Sequence, residues 1–273
     1  MYLEIAVVTV MVVSTIYMLQ KNVNIGVVML INSVLVMALK KVPFLPGAGY
    51  IAGGIISEKT LKLVLILFLI MVLENIMRNT GMISGIAASL KELVGSNRFA
   101  AVMLPMAIGM MPSPGGARFS CPMVDETLGE NAGLEEKTFI NYWFRHVWMD
   151  SFVLYPGIIL ASELLEVSVI DMCMRIVIFM AVSFVSGVAV SRGMVKNESI
   201  ARTKPIGQAL RNFLEQMLPV FILISIYIIL QYRTEYALQI AAALVVIPLF
   251  LIKRYGVGDI LKTLKESVSF KFI

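Results

Sequence analysis

Apolar and polar positions in this chain come in blocks, not in strict alternation. Residues 3–19, 25–39 and 61–77 are apolar runs, and the first two are closed by Lys21 with Asn22 and by Lys40 with Lys41. Further runs cover residues 167–190, 213–230 and 236–252. Several of them approach the roughly 20 residues that cross a bilayer as a helix. The block pattern therefore predicts membrane helices. Between the runs, residues 43–54 are rich in Pro and Gly and predict a loop or a short irregular lead-in. Residues 78–98 carry mixed charge, with Ile83, Ile86, Ala87, Leu90, Leu93 and Val94 at helical spacing. That spacing predicts an amphipathic helix lying in the membrane interface. Residues 129–137 read as a polar loop, 191–212 as a basic linker and 253–265 as a second basic, partly amphipathic segment.

Two stretches break the pattern. Residues 99–111 are apolar but only 13 long, too short to span comfortably. They lead into Pro112, Ser113, Pro114, Gly115 and Gly116, and residues 119–128 form a possible returning arm. Prolines remove backbone donors and glycines relax the helix. Lipid tolerates such backbone only where protein or a water-filled cavity surrounds it. A re-entrant hairpin over 99–128 is the expected form. Residues 138–165 are long and punctuated by Arg145, His146, Asp150, Tyr155, Pro156 and Gly157, which predicts one membrane helix broken near the Pro–Gly pair.

Composition agrees with a polytopic membrane protein. The 273 residues are 59% hydrophobic and 15% charged, and mean hydropathy is +0.86. A soluble domain of this size carries far more charge. The net charge of +5 comes mostly from loop Lys and Arg, which set orientation and do not mark a nucleic-acid binder. Cys121 and Cys173 have neither metal-ligand spacing nor the pattern of a disulfide framework. The first run lacks a basic leader and a small-residue cleavage site, so it reads as a retained helix.

The order of elements suggests an inverted repeat. Residues 1–190 read as a first repeat, with scaffold spans, the hairpin 99–128 and the broken helix 138–165. Residues 191–212 are the linker, and 213–273 begin a second repeat that looks truncated. The expected fold is all-α, with about seven spans plus a re-entrant hairpin. With the hairpin, the basic segments 191–212 and 253–265 both fall in the cytoplasm and the N-terminus outside. If residues 99–111 span fully, the N-terminus is inside, and charge alone does not choose.

The run from Pro112 to Glu126 resembles the Pro-Gly-Gly-Ala…Phe-Ser-Ala-Pro…Val-Asp signature of an uncharacterised family of prokaryotic integral membrane proteins. Asn141, Tyr142, Trp143, Phe144, Arg145, His146, Val147 and Trp148, followed by Tyr155, Pro156 and Gly157, are similar to its second signature. The resemblance implies membership of the ion-transporter superfamily, with gluconate-type permeases and citrate or dicarboxylate carriers, and implies a homodimer. Two departures stand out: Arg118 replaces an expected apolar residue, and members have a full second half.

The candidate site residues each have two readings. Opened helix ends at the tip, with Ser113 and Ser120 adding hydroxyls, can hold an anion or a sodium ion, or the tip is a structural kink. Arg118 pairs with a substrate carboxylate, or with Asp125 or Glu126, or snorkels to the interface. Asn141 with Arg145, and His146 with Asp150, are four apart and stack on helix faces. They line a cavity, with His146 and Asp150 as a proton relay, or they fix helix packing. Glu74 and Arg78 are also four apart and read as a local structural pair.

There is no Walker-type phosphate loop, no GxGxxG opening a helix and no HExxH, and Ser120 lacks a GxSxG context. No enzyme activity and no cofactor are expected. The expectation is a multi-pass cell-membrane permease for a small organic anion or ion, driven by a sodium or proton gradient. The tip and the broken helix at Tyr155, Pro156 and Gly157 would bind the solute, and the hairpin would move against the first two spans. Expected partners are membrane lipid and, for a split gene, a chain supplying the second half. The alternative is a non-transporting scaffold or remnant of a transporter gene.

Overall fold

The structure, a computed structural model, describes residues 2–110, 116–199 and 201–268, with backbone alone at 2, 3, 116–119 and 268. Regular structure among the described residues is helical, and the one β-type contact is an isolated bridge between Ser96 and Ser199. Three helical stretches are long and apolar enough to cross a membrane: Phe44–Asn79, Val169–Ser191 and Ile206–Leu230. The chain forms two units that meet between Leu61 and Lys62.

The first unit holds α1 (Tyr2–Gln20), α2 (Ile25–Leu39), α3 (Phe44–Ile55) and the first turn of α4 (Glu58–Asn79). Asn24 caps α2 by accepting from the Gly26 N–H at 2.9 Å. Asn32 is buried in the α1–α2 contact, where it accepts from Ser14 Oγ and donates to Thr15 Oγ1 at 2.7 Å. Most other side chains of α1 and α2 are exposed and apolar.

The α3 helix corrects the loop expected over residues 43–54. Pro43 supplies the N-cap, and its carbonyl accepts the Gly47 N–H at 3.0 Å. Pro46 falls in the first turn, where backbone donors have no intrahelical acceptor and a missing one costs nothing. Local Pro and Gly content thus marks the start of a helix here, not its absence.

The second unit contains the rest of α4, then α5 (Met82–Val94), α6 (Asn97–Gly109), α7 (Gly116–Leu128), α8 (Leu134–His146), α9 (Pro156–Leu165), α10 (Val169–Ser191), α11 (Ile206–Leu230), α12 (Ala237–Ile252) and α13 (Val257–Val268). The larger core joins α4, α5, α9, α11 and α12 through residues such as Ile70, Leu73, Ile86, Leu223 and Ala241. The smaller one joins α6, α7 and α8 through Ala101, Val124, Ile140 and Phe144.

Gly81 and Gly95 bound α5 in left-handed backbone, with φ of 73° and 63°. The apolar face of α5 is buried against α11 and α6, with Ile83, Ile86 and Leu90 in the core. This revises the expectation of a helix resting its apolar face in the membrane interface: protein covers that face instead.

The basic linker is shorter and more ordered than the charge pattern suggests. The α11 helix begins at Ile206, on Pro205, well before residue 213. The preceding segment is fastened to the start of α6 by Asn97. Its Oδ1 accepts from the Arg98 and Glu198 N–H groups at 2.6 and 2.8 Å, and its Nδ2 donates to the Lys196 carbonyl at 3.1 Å. Glu92, near the end of α5, accepts from the Thr203 hydroxyl and from the Thr203 and Lys204 N–H groups. These bonds, the Thr203 hydroxyl first, hold the Glu92 carboxyl below its ordinary range.

Candidate functional site

Pro112, Ser113, Pro114 and Gly115 lie outside the described residues, as does the side chain of Arg118. The flanks of that motif are defined. Gly109 ends α6, and Gly116 begins α7. The α6 and α7 helices pack on each other and on α8. At Gly109 the approach of α8 is so close that an added Cβ would stand 2.3 Å from the Arg145 carbonyl oxygen. Only glycine permits this contact. It places the chain entering the Pro–Gly motif directly beside the Arg145 backbone.

Arg145 is buried, 5% exposed, in the last turn of α8. It lies within electrostatic reach of Tyr155, Glu74 and Arg78. Glu74 is itself 4% exposed and pairs with Arg78 one turn along α4. Tyr155 is reached in turn by Arg145 and Asp150. A cluster of charge thus forms inside apolar helices, where ionised groups are costly unless compensated. Asn141 and Ser120 are buried too, Asn141 one turn before Arg145 and Ser120 early in α7.

The expected pairing of His146 with Asp150 does not form. The α8 helix ends at His146, and residues Val147–Asp150 continue as a 3-10 turn, so a spacing of four no longer shares one helical face. The His146 Nδ1 lies 2.6 Å from the Tyr142 carbonyl oxygen. A carbonyl only accepts, so Nδ1 carries the proton. Asp150 accepts instead from Ser183 Oγ at 3.2 Å.

The break in the long helix is tied to α10. Trp143 Nε1 donates to the Ser183 carbonyl at 2.8 Å, and Ser151 Oγ to the Cys173 carbonyl at 2.7 Å. Pro156 opens α9 at its first turn after an extended Tyr155. Gly157 is exposed with no atom near its missing Cβ, so no close contact there requires glycine. The carboxylates considered as Arg118 partners are engaged elsewhere: Asp125 with Lys137 at 2.7 Å and Glu126 with Lys91 at 3.0 Å.

Glu74 and Arg78 are the residues that sequence reasoning left out of the site. The i,i+4 spacing revealed the Glu74–Arg78 pair, and no linear signal linked it to α8.

Helical structure throughout the described residues, with three helical stretches long and apolar enough to cross a membrane, is compatible with a helical membrane protein. The chain belongs to the family described as "Protein of unknown function (DUF401)", whose model matches residues 4–273. No curated protein matches the chain at a significant level.

Proposed function

We propose that this chain is a secondary transporter of a small organic anion or an ion, driven by a sodium or proton gradient. The carrying observation is the buried cluster around Arg145, packed beside the segment that enters the Pro–Gly motif. A buried guanidinium is a planar donor suited to a carboxylate. Intramembrane charge is expensive, and by default it marks a solute or proton path. Broken helices supply further backbone donors and acceptors at that depth.

In this reading the chain has about seven spans with a re-entrant hairpin over 99–128, and it is a branch of the ion-transporter superfamily in the cell membrane. Ser113, Gly116, Ser120, Asn141 and Arg145 contact the solute, and Glu74 and Asp150 balance the cluster charge. The work comes from an ion gradient, because no nucleotide-binding motif is present in the sequence.

The test is uptake of radiolabelled gluconate, citrate and succinate into vesicles containing the purified chain, under imposed sodium or pH gradients. Replacing Gly116 with Trp should abolish uptake and leave membrane insertion intact. Normal uptake by that variant removes the tip from the site.

A further inference from the structure

A second polar feature lies away from the Arg145 cluster. The turn after α12, α13 and the end of α4 enclose a cleft of about 440 Å³. Three cations line it: Lys253, Arg254 and Lys262. Among the described residues, neither Lys253 nor Arg254 has a side-chain hydrogen bond or ion pair. Lys262 stands 4.0 Å from Glu266, and both side chains are largely exposed, so that contact is weak. Asp259, the other acid in the lining, already accepts the Gly256 N–H at 3.1 Å. The end of α12 attracts cations through its dipole, but that accounts for Lys253 beside the last carbonyls and not for three cations around one cleft.

The surroundings say what kind of anion fits. Leu251, Ile252, Val257 and Leu261 flank the cleft in sequence and are 74%, 71%, 77% and 57% exposed. Tyr255 lines the cleft and packs edge-on against Phe250 at 5.3 Å. The cleft follows directly on the apolar α12, and α13 turns its Ile260 and Leu264 toward the core. A recess with three cations and two acids, lined by a tyrosine and flanked in sequence by exposed aliphatic residues, has the chemistry of a headgroup boundary.

We propose that this cleft binds the phosphate of an anionic phospholipid, with Lys253, Arg254 and Lys262 on the headgroup and the exposed aliphatic side chains against its acyl chains. The site is independent of the transport reading: it predicts lipid selectivity whether or not the chain moves a solute.

Native mass spectrometry and thermal unfolding of the full chain in detergent test this, with added phosphatidylglycerol, phosphatidylcholine or inorganic phosphate. Phosphatidylglycerol should be retained and should raise the unfolding midpoint, and the other two should not. The triple variant Lys253→Gln, Arg254→Gln, Lys262→Gln should bind phosphatidylglycerol about tenfold more weakly. Lys262→Gln alone alters an exposed side chain. It should show a smaller loss in the same direction, which keeps the test open if the triple variant misfolds. Equal protection by inorganic phosphate would make this a soluble-anion site and overturn the lipid assignment. Absence of selectivity for phosphatidylglycerol, or unchanged retention by the folded variants, overturns it as well.

Discussion

Gly109 and Arg145 touch backbone to backbone, with the Arg145 carbonyl oxygen 2.3 Å from where a Gly109 Cβ would be. A side chain at this point collides with main chain, which cannot swing aside. Gly109→Ala should therefore destabilise the protein by about 1–3 kcal/mol, the usual cost of overpacking. Gly187→Ala meets the Trp143 indole at 2.4 Å, a side chain and not main chain. It should cost less. Thermal unfolding of both variants in one detergent checks the order, and a milder Gly109→Ala contradicts it.

Asn97 joins α6 to the segment before α11 with both ends of its amide. Asn97→Ala leaves the Glu198 N–H and the Lys196 carbonyl without this partner. A loss of about 0.5–1.5 kcal/mol is expected for these partly buried hydrogen bonds, with faster amide exchange and protease cleavage over residues 195–199. Unchanged exchange there would show that the segment is held by other means.

The shape of the same region should depend on pH. Because Thr203 and Lys204 hydrogen bonds depress the Glu92 pKa, its contribution is full above the unfolded value near 4.5. It is lost as pH falls through the lower folded value. Exchange at Thr203 and Lys204 should rise as pH is lowered from about 6 toward 3, after correction for intrinsic rates. Glu92→Gln should flatten that rise, and a rise of equal size in the variant would assign it to another group.

Asn32 is the main polar tie between α1 and α2 among the described residues. In a membrane such bonds average about 0.6 kcal/mol, because the unpacked helices find other partners. Asn32→Ala should thus lower stability only slightly in bilayers. A loss of several kcal/mol would mean that Asn32 does more than join two helices.

Continuous apolar runs were the legible part of this fold. The runs at 61–77, 167–190 and 213–230 lie within α4, largely within α10, and within α11. Length and apolarity alone dictate a helix there. Propensity misled at residues 43–54, where prolines at a helix start were read as a break. Periodicity revealed α5 but not its cover, since an apolar stripe looks the same against lipid or against α11. In the candidate site, spacing revealed Glu74 with Arg78 and failed for His146 with Asp150. The first pair lies inside a regular helix, and the second straddles the end of α8. The electrostatic reach of Arg145 to Glu74 depends on the tertiary fold, which no local pattern encodes.

The central claim is that the Arg145 cluster handles an anion. Its most direct test is gradient-driven uptake of gluconate, citrate or succinate by wild type, Arg145→Lys and Arg145→Gln in the same vesicles, with folding verified for each. Wild type should accumulate at least one of these anions. Arg145→Lys should retain part of that activity, because a point charge cannot reproduce the planar fork. Arg145→Gln should lose it, dropping by about a hundredfold if a charge-assisted pair of roughly 3 kcal/mol is removed. Accumulation by folded Arg145→Gln at the wild-type rate, or none by folded wild type under either gradient, would contradict the account.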